Sequence, residues 1–224
     1  MKDYREKEMK YLMITYVLLF LFWSTRFFRD ASSVTDLDWN IILSAIQGVI
    51  ISGVLSLITF ISDSLFSSNH KDKLVGLFFI PRSGCTVFSR MHNGKIADDR
   101  FTKAEAREQY SHIIACLPSE KKEKYAYENA QWYKIYCQYQ DKGSIVQAQK
   151  DYLLCRDLFI ETIIFIILYL VSLMVFHEIV LLSSKFIITL IIMAILTNIA
   201  THKKMNRFVN NVIATDIAFT KGKK

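Results

Sequence analysis

The sequence has few of the residues that interrupt regular structure: two prolines and seven glycines occur among 224 residues. This scarcity excludes a collagen-like chain or a low-complexity linker, and a hydrophobic content of 52% excludes an intrinsically disordered chain. The four cysteines show no CxxC spacing, and the P-loop, GxSxG, HExxH and GxGxxG motifs are absent. The histidines stand apart from one another, so we expect neither a metal site nor a cofactor.

Four long apolar runs dominate the sequence instead. They cover about residues 11–28, 39–62, 157–177 and 182–202. A helix needs ~20 mostly apolar residues to span a bilayer, and a chain of this size cannot bury four such helices on all sides in water. We therefore predict an all-α polytopic membrane protein with four transmembrane helices in two hairpins. We expect the first run to be a retained helix, because no small-residue cleavage pattern follows it.

Basic residues are distributed unevenly around these runs. Of the 28 Lys and Arg residues, 25 lie in residues 1–10, 62–156 and 201–224. The other three are Arg26, Arg29 and Lys185. Because basic loops stay in the cytoplasm, we predict a multi-pass protein of the cell's inner (plasma) membrane with both termini cytoplasmic and short external turns at 29–38 and 177–185. This topology accounts for most of the net charge of +7, so direct binding to nucleic acid is not expected.

Residues 63–156 are predicted to form a small, mainly helical cytoplasmic domain between the hairpins. Two short strands at 74–80 and 85–89, joined by a turn with Pro81 and Gly84, would make it an α+β domain. The alternative is that the second membrane helix continues through residues 64–79.

Two further helix signals lie in this domain. Thr102 and Glu105 have the spacing of a capping box and predict a helix start. A helix beginning near Ser144 meets no stop signal before the third apolar run, so we expect the two to be continuous.

Aromatic residues are concentrated in the middle of this domain. Trp132, Tyr133, Tyr136 and Tyr139 follow a helical spacing beside several lysines. They form either the core of a small domain or a surface that stacks on a ligand, and the helical spacing favours the core.

Arg107 and His112 have the R-x4-H spacing found in HEPN ribonucleases and fall on a predicted helix, as those motifs do. A chain with nine Arg and five His residues contains about 0.6 matches to the wider pattern R-x4–6-H by chance. A HEPN site also requires two motifs to come together. We therefore expect no enzyme, and these two residues are only weak candidates for catalysis.

The second apolar run carries a small residue every four positions: Ser44, Gly48, Ser52 and Ser56. Such a seam lets two helices approach closely. It serves either packing within the chain or the assembly of an oligomer, and the sequence leaves both open.

Charged and polar residues mark the inner ends of the third and fourth runs. Asp157 and Glu161 lie four residues apart on one helical face, and Asn198 and His202 have the same spacing on the next helix. Acidic groups at this depth usually face protein or water. In an oligomer they would line a pore mouth and couple it to the cytoplasmic domain.

Residues 203–224 form a basic tail with an apolar stripe. The stripe consists of Met205, Phe208, Val209, Val212 and Ile213. Such an amphipathic helix lies either on the bilayer surface or on the central domain.

The overall plan resembles that of small bacterial multi-pass membrane proteins of anti-phage defence systems, in which a cytosolic cue makes an oligomer perturb the membrane. The resemblance is one of architecture and rests on no motif. It implies an oligomeric membrane effector or channel-like protein, gated through its cytoplasmic domain, whose partners are the lipid bilayer and further copies of the chain. The alternatives are a non-conducting anchor that recruits a cytosolic protein encoded nearby, and a membrane-bound HEPN-like ribonuclease.

Overall fold

A computed structural model describes residues 3–24, 39–77, 80–96 and 98–222. Every regular element in these ranges is a helix, and no β-strand occurs in them. The helices are α1 (Asp3–Ser24), α2 (Trp39–Leu65), α3 (Ser68–Val75), α4 (Val87–His92), α5 (Lys103–Gln109), α6 (Ser111–Ala115), α7 (Lys121–Tyr139), α8 (Gly143–Val175) and α9 (Ser184–Lys221). A 3₁₀ turn at Ser83–Thr86 precedes α4. The external turn predicted at residues 29–38 lies outside the described residues.

The strands predicted at 74–80 and 85–89 are wrong: α3 and a turn occupy 74–77, and the 3₁₀ turn and α4 occupy 85–89, while residues 78 and 79 lie outside the described residues. Val87, Phe88 and Met91 are all fully buried and occupy one face of α4. A strand would have placed Val87 and Phe88 on opposite faces. The alternative of a helix running through residues 64–79 also fails, because α2 ends at Leu65. The hydroxyl of Ser67 then accepts the backbone N–H of His70 at 3.4 Å and starts α3 as a separate helix.

The chain forms two compact units. The first unit consists of Met1–Lys71 and Arg156–Ile199, and the second unit consists of Asp72–Cys155 and Ala200–Lys224. Each of α8 and α9 contributes one part to each unit. The continuity predicted for the helix that begins near Ser144 is confirmed. Continuity across two units was not expected of α9. This helix runs through the predicted boundary at 202/203 because no glycine or proline interrupts it.

The first unit has an aromatic core and an apolar exterior. Its core includes Tyr16, Phe20, Phe165, Tyr169 and Phe186. Large apolar side chains on the outer faces of its helices are exposed, among them Leu18, Leu57, Val171 and Ile192. Among the described residues, α8 and α9 are long and apolar enough to cross a membrane, whereas α2 offers only the shorter stretch Ile46–Ser62. The structure thus shows two candidate spans where the sequence predicts four.

The second unit is built around the C-terminal part of α9. Met205, Phe208, Val209, Val212 and Ile213 are buried there among residues of α4 to α8. The sequence leaves two locations open for this stripe, the bilayer surface and the central domain. In the structure the stripe packs on the central domain. A buried stripe of this kind is stabilised by removal of its apolar surface from water.

The start of α5 follows the predicted pattern. The backbone N–H of Glu105 donates to the Thr102 hydroxyl at 3.2 Å, and the backbone N–H of Thr102 donates to the Glu105 carboxylate at 2.9 Å. The predicted capping box is therefore confirmed, and it satisfies two backbone donors that the first turn would otherwise leave free.

Candidate functional site

The most unusual feature of the first unit is a group of buried charges, which we call the charge cluster. It consists of Lys71 on α3 and of Arg156, Asp157 and Glu161 on α8. Asp157 is 0% exposed and Glu161 is 1% exposed. Charged side chains are almost never buried to this extent unless they are paired.

The Asp157 carboxylate is the centre of the charge cluster. Its Oδ1 atom lies 3.1 Å from Nε of Arg156 and 3.4 Å from Nζ of Lys71. Nη1 of Arg156 also donates to the Ser68 hydroxyl at 2.7 Å. The cluster therefore joins α3 to α8. With two cations and two carboxylates, it carries no net formal charge.

Burial makes these charges interdependent. Removing ions from water is costly, and their mutual attraction repays that cost only when the geometry is good. Loss of one partner from a buried pair costs about 3–5 kcal/mol, because the remaining charge is left uncompensated. Loss of one charge from the cluster would therefore weaken the contact between α3 and α8.

A buried hydroxyl pair follows directly on α8. The hydroxyls of Thr162 and Tyr16 share a hydrogen bond of 2.8 Å that joins α8 to α1. Both side chains are buried, and Tyr16 also interacts electrostatically with Glu161. Polar side chains beside the charge cluster therefore also link α8 to α1.

A second polar group surrounds Tyr169, two turns further along α8. The Tyr169 hydroxyl accepts hydrogen bonds from the Ser24 hydroxyl at 3.3 Å and from the backbone N–H of Ser183 at 3.2 Å. It donates to the carbonyl oxygen of Leu181 at 3.0 Å. Three buried phenylalanines lie in the same core between this group and the hydroxyl pair: Phe20, Phe165 and Phe186.

The structure therefore places Asp157 and Glu161 inside the chain, among partners that the sequence analysis had not paired with them. Lys71 is 86 residues away from Asp157 in sequence, and no local pattern marks it. The other predicted pore-mouth residues are half-buried on α9. Asn198 belongs to the first unit and His202 to the second, so the predicted set is divided between the two units.

The small-residue seam lies on the inward face of α2. Gly48 and Ser52 are buried and Ser56 is half-buried, while the side chain of Ser44 lies outside the described residues. The Ser52 hydroxyl donates to the Val49 carbonyl at 2.8 Å, and the Ser56 hydroxyl donates to the Ser52 carbonyl at 2.9 Å. Because α2 packs against α1 on this unit's core, the seam serves packing within the chain. Assembly of an oligomer through it stays a prediction.

Arg107 and His112 are held on two different short helices. Nε of Arg107 donates to the carbonyl oxygen of Met91 at 2.9 Å, and its Nη2 donates to that of His92 at 2.7 Å. These are carbonyls at the end of α4 that have no partner within their helix. His112 is exposed on α6. The guanidinium is thus engaged in a structural contact, and the ribonuclease alternative stays a prediction.

Three of the four aromatic residues singled out on α7 belong to the core of the second unit. The rings of Trp132 and Tyr136 stack with centroids 5.6 Å apart, and Phe208 of α9 packs edge-on against both. The Tyr139 hydroxyl donates to a buried carboxylate on α9. Tyr133 differs, since 55% of it is exposed.

That carboxylate belongs to Asp216, which sequence reasoning missed. Its oxygens accept the hydroxyl of Tyr110 at 2.6 Å and the hydroxyl of Tyr139 at 3.0 Å. Burial and the neighbouring Asp216 charge raise the pKa of Tyr110, so this phenol stays a hydrogen-bond donor at neutral pH. Asp216 therefore connects α9 to α7 and to the junction between α5 and α6.

Within the part of the chain that the structure describes, no three His, Cys, Asp or Glu side chains are arranged to hold a metal ion. Comparisons with protein-family models, curated proteins and solved structures found no match to this chain.

Proposed function

We propose that this protein is an oligomeric effector of the bacterial inner membrane that makes the membrane permeable to ions when its cytoplasmic domain is activated. In this proposal four helices span the bilayer, and both termini and residues 63–156 are cytoplasmic. The observation that carries it is the charge cluster buried inside an otherwise apolar unit. Ionisable groups at membrane depth are costly to retain and mark ion pathways or switches.

The exterior of the first unit supports a membrane location. Its helices expose large aliphatic and aromatic side chains that water would penalise and lipid would accommodate. The distribution of basic residues supports the orientation, because 25 of 28 fall in segments assigned to the same side.

The position of the charge cluster in the chain supports gating. Lys71 is the last residue of the first segment of the first unit, and Arg156 begins that unit's second segment. The cluster therefore forms where the chain passes from one unit to the other. A change in the second unit reaches these residues through continuous helix, and a rigid helix is a simple element for coupling two regions.

A liposome assay tests this proposal. In Lys71→Gln the charge cluster keeps both carboxylates and loses one cation, which favours separation of α3 from α8. Because a closed protein populates an open state at 0.1–10%, the variant should raise the leak of H⁺ or K⁺ by about ten-fold or more over wild type. Trapped fluorescent indicators for each ion provide the measurement.

Lys204→Gln is the matched control. Lys204 forms a 2.7 Å ion pair with Asp151 in the second unit, but both partners are partly exposed, so its loss should leave vesicles as tight as wild type. If Lys71→Gln inserts and folds yet leaks no more than Lys204→Gln, the effector proposal fails.

That result would favour a second candidate, a non-conducting membrane anchor that recruits a cytosolic protein. One observation supports it: the Asp157 carboxylate is neutralised by Lys71 and Arg156 of the same chain, as suits a static membrane domain. In that case Tyr133, the exposed aromatic residue on α7, is the first residue to replace in a co-purification experiment.

A further inference from the structure

One face of α8 presents four buried residues to the core at intervals of four: Asp157, Glu161, Phe165 and Tyr169. Each interval is slightly more than one helical turn, so the series extends over ~18 Å of helix. That is more than half of the ~30 Å hydrocarbon thickness of a bilayer. Three of the four side chains carry groups that exchange protons and form hydrogen bonds: the carboxylates of Asp157 and Glu161 and the hydroxyl of Tyr169.

The inner part of the series carries several polar groups at neighbouring positions of α8. The charge cluster supplies two carboxylates, and the hydroxyl pair of Tyr16 and Thr162 follows within one residue of Glu161. Carboxylates and hydroxyls both donate and accept hydrogen bonds, according to their protonation. Such groups, placed in sequence, form proton relays inside membranes.

The outer part has the same chemistry on a smaller scale. The Tyr169 hydroxyl accepts hydrogen bonds from Ser24 and the Ser183 backbone and donates one to Leu181. The Ser24 and Tyr169 hydroxyls can therefore pass a proton between them, while the two backbone partners hold the Tyr169 hydroxyl in place.

An aromatic layer separates the two parts. The ring of Phe186 lies 6.1 Å from that of Phe20 and 6.3 Å from that of Phe165, measured between centroids, and all three side chains are fully buried. Packed apolar side chains of this kind close a pathway by excluding water.

We propose that α1, α8 and α9 of a single chain enclose a proton pathway that Phe20, Phe165 and Phe186 close at rest. This inference rests on the proposed effector function and specifies its ion and its gate. When the aromatic layer separates, water enters it and joins the two hydrogen-bonded parts. Each hydroxyl or water then accepts a proton on one side and releases its own on the other, so every group ends unchanged.

The chemistry of the lining favours protons over metal cations. A proton moves along hydroxyls and a few waters and does not need an opening as wide as a hydrated cation.

The decisive variant is Phe165→Ala in the full chain, reconstituted into liposomes that contain a trapped pH indicator, with K⁺ and Na⁺ fluxes followed in parallel. Opening the layer should raise proton flux by about ten-fold or more, with K⁺ and Na⁺ fluxes unchanged. The matched control is Phe60→Ala, which removes an exposed ring from the outer face of α2 in the same unit. It should leave proton flux at the wild-type level.

A second substitution tests the relay itself. Adding Tyr16→Phe and Thr162→Val to Phe165→Ala removes two hydroxyls with little change of shape and should return proton flux close to wild type. Flux that persists in this triple variant would overturn the relay. Passage of K⁺ through Phe165→Ala would overturn the assignment to protons.

The assay also separates this inference from the proposed function. If Lys71→Gln leaks while Phe165→Ala is tight, the effector function stands and the pathway along α8 is overturned. If both variants are as tight as their controls, both proposals fail.

Discussion

Four cysteine side chains differ in exposure, and this difference has chemical consequences. Cys116 and Cys137 are exposed, whereas Cys85 and Cys155 are half-buried. Burial raises the pKa of the Cys85 thiol, although the nearby Arg82 opposes it, and burial likewise raises the pKa of the Cys155 thiol. Because the thiolate is the reactive form, a raised pKa and reduced access both slow alkylation.

We therefore expect maleimide in detergent at pH 7 to modify Cys116 and Cys137 well before Cys85 and Cys155. The rates at the two buried thiols should continue to rise above pH 9, where an ordinary thiol is already mostly ionised. Mass spectrometry of the labelled peptides measures all four sites in one sample. Equal rates at Cys85 and Cys116 would contradict the burial described here.

Single residues differ in how far the sequence reveals their roles. Asp157 and Glu161 were recognisable because carboxylates stand out at the edge of an apolar run. Their partner Lys71 was not, since it is one of many lysines in a basic region and only the fold brings it near. The same holds for Asp216, which is 106 residues from Tyr110.

At the scale of elements, short apolar runs were the main source of error. Residues 85–89 contain too few positions to distinguish a strand period of 2 from a helical period of 3.6, and the turn signal of Pro81 and Gly84 favoured the wrong choice. The stripe on α9 was long enough to show its helical period. What covers the stripe was left open, because lipid and a protein core both accept the same apolar face.

A pair of isoleucines on α9 tests where its two halves lie. Ile213 is fully buried in the second unit, whereas Ile195 is 54% exposed on the first. Ile213→Ala should destabilise the second unit by about 2–5 kcal/mol, the range for buried aliphatic truncations. Ile195→Ala should change stability little. Hydrogen exchange of α4 to α7 in detergent provides the measurement, and equal protection in both variants would contradict the burial of the C-terminal half of α9.

At the scale of the whole molecule, the apolar runs were sufficient to predict the helical fold. Two of the four predicted spans are long and apolar enough in the structure to cross a membrane. The sequence also predicted that α8 would belong to two units, because the helix from Ser144 was expected to continue into the third apolar run. It did not predict this of α9. The sequence contains no break at the junction in α9, and a domain boundary without a linker has no compositional signature.

The proposed topology has a direct test in intact cells. A cysteine introduced as Glu178→Cys lies at an exposed position between α8 and α9, on the predicted external side. A membrane-impermeant maleimide should label it without permeabilisation. The exposed native residues Cys116 and Cys137 serve as internal controls and should react only after the membrane is opened. Labelling of Cys116 in intact cells would reverse the proposed orientation.

The order in which the ribosome makes the chain also determines when the second unit can fold. Its core needs residues 205–217, but the ribosome makes these only after the apolar parts of α8 and α9. A nascent chain that has reached residue 155 therefore carries Val87, Phe88 and Met91 without the helix that covers them. The second unit therefore cannot finish folding before the apolar parts of α8 and α9 have been made. Under the proposed function, in which the second unit receives the signal, a partly synthesised chain cannot respond before its apolar helices are complete.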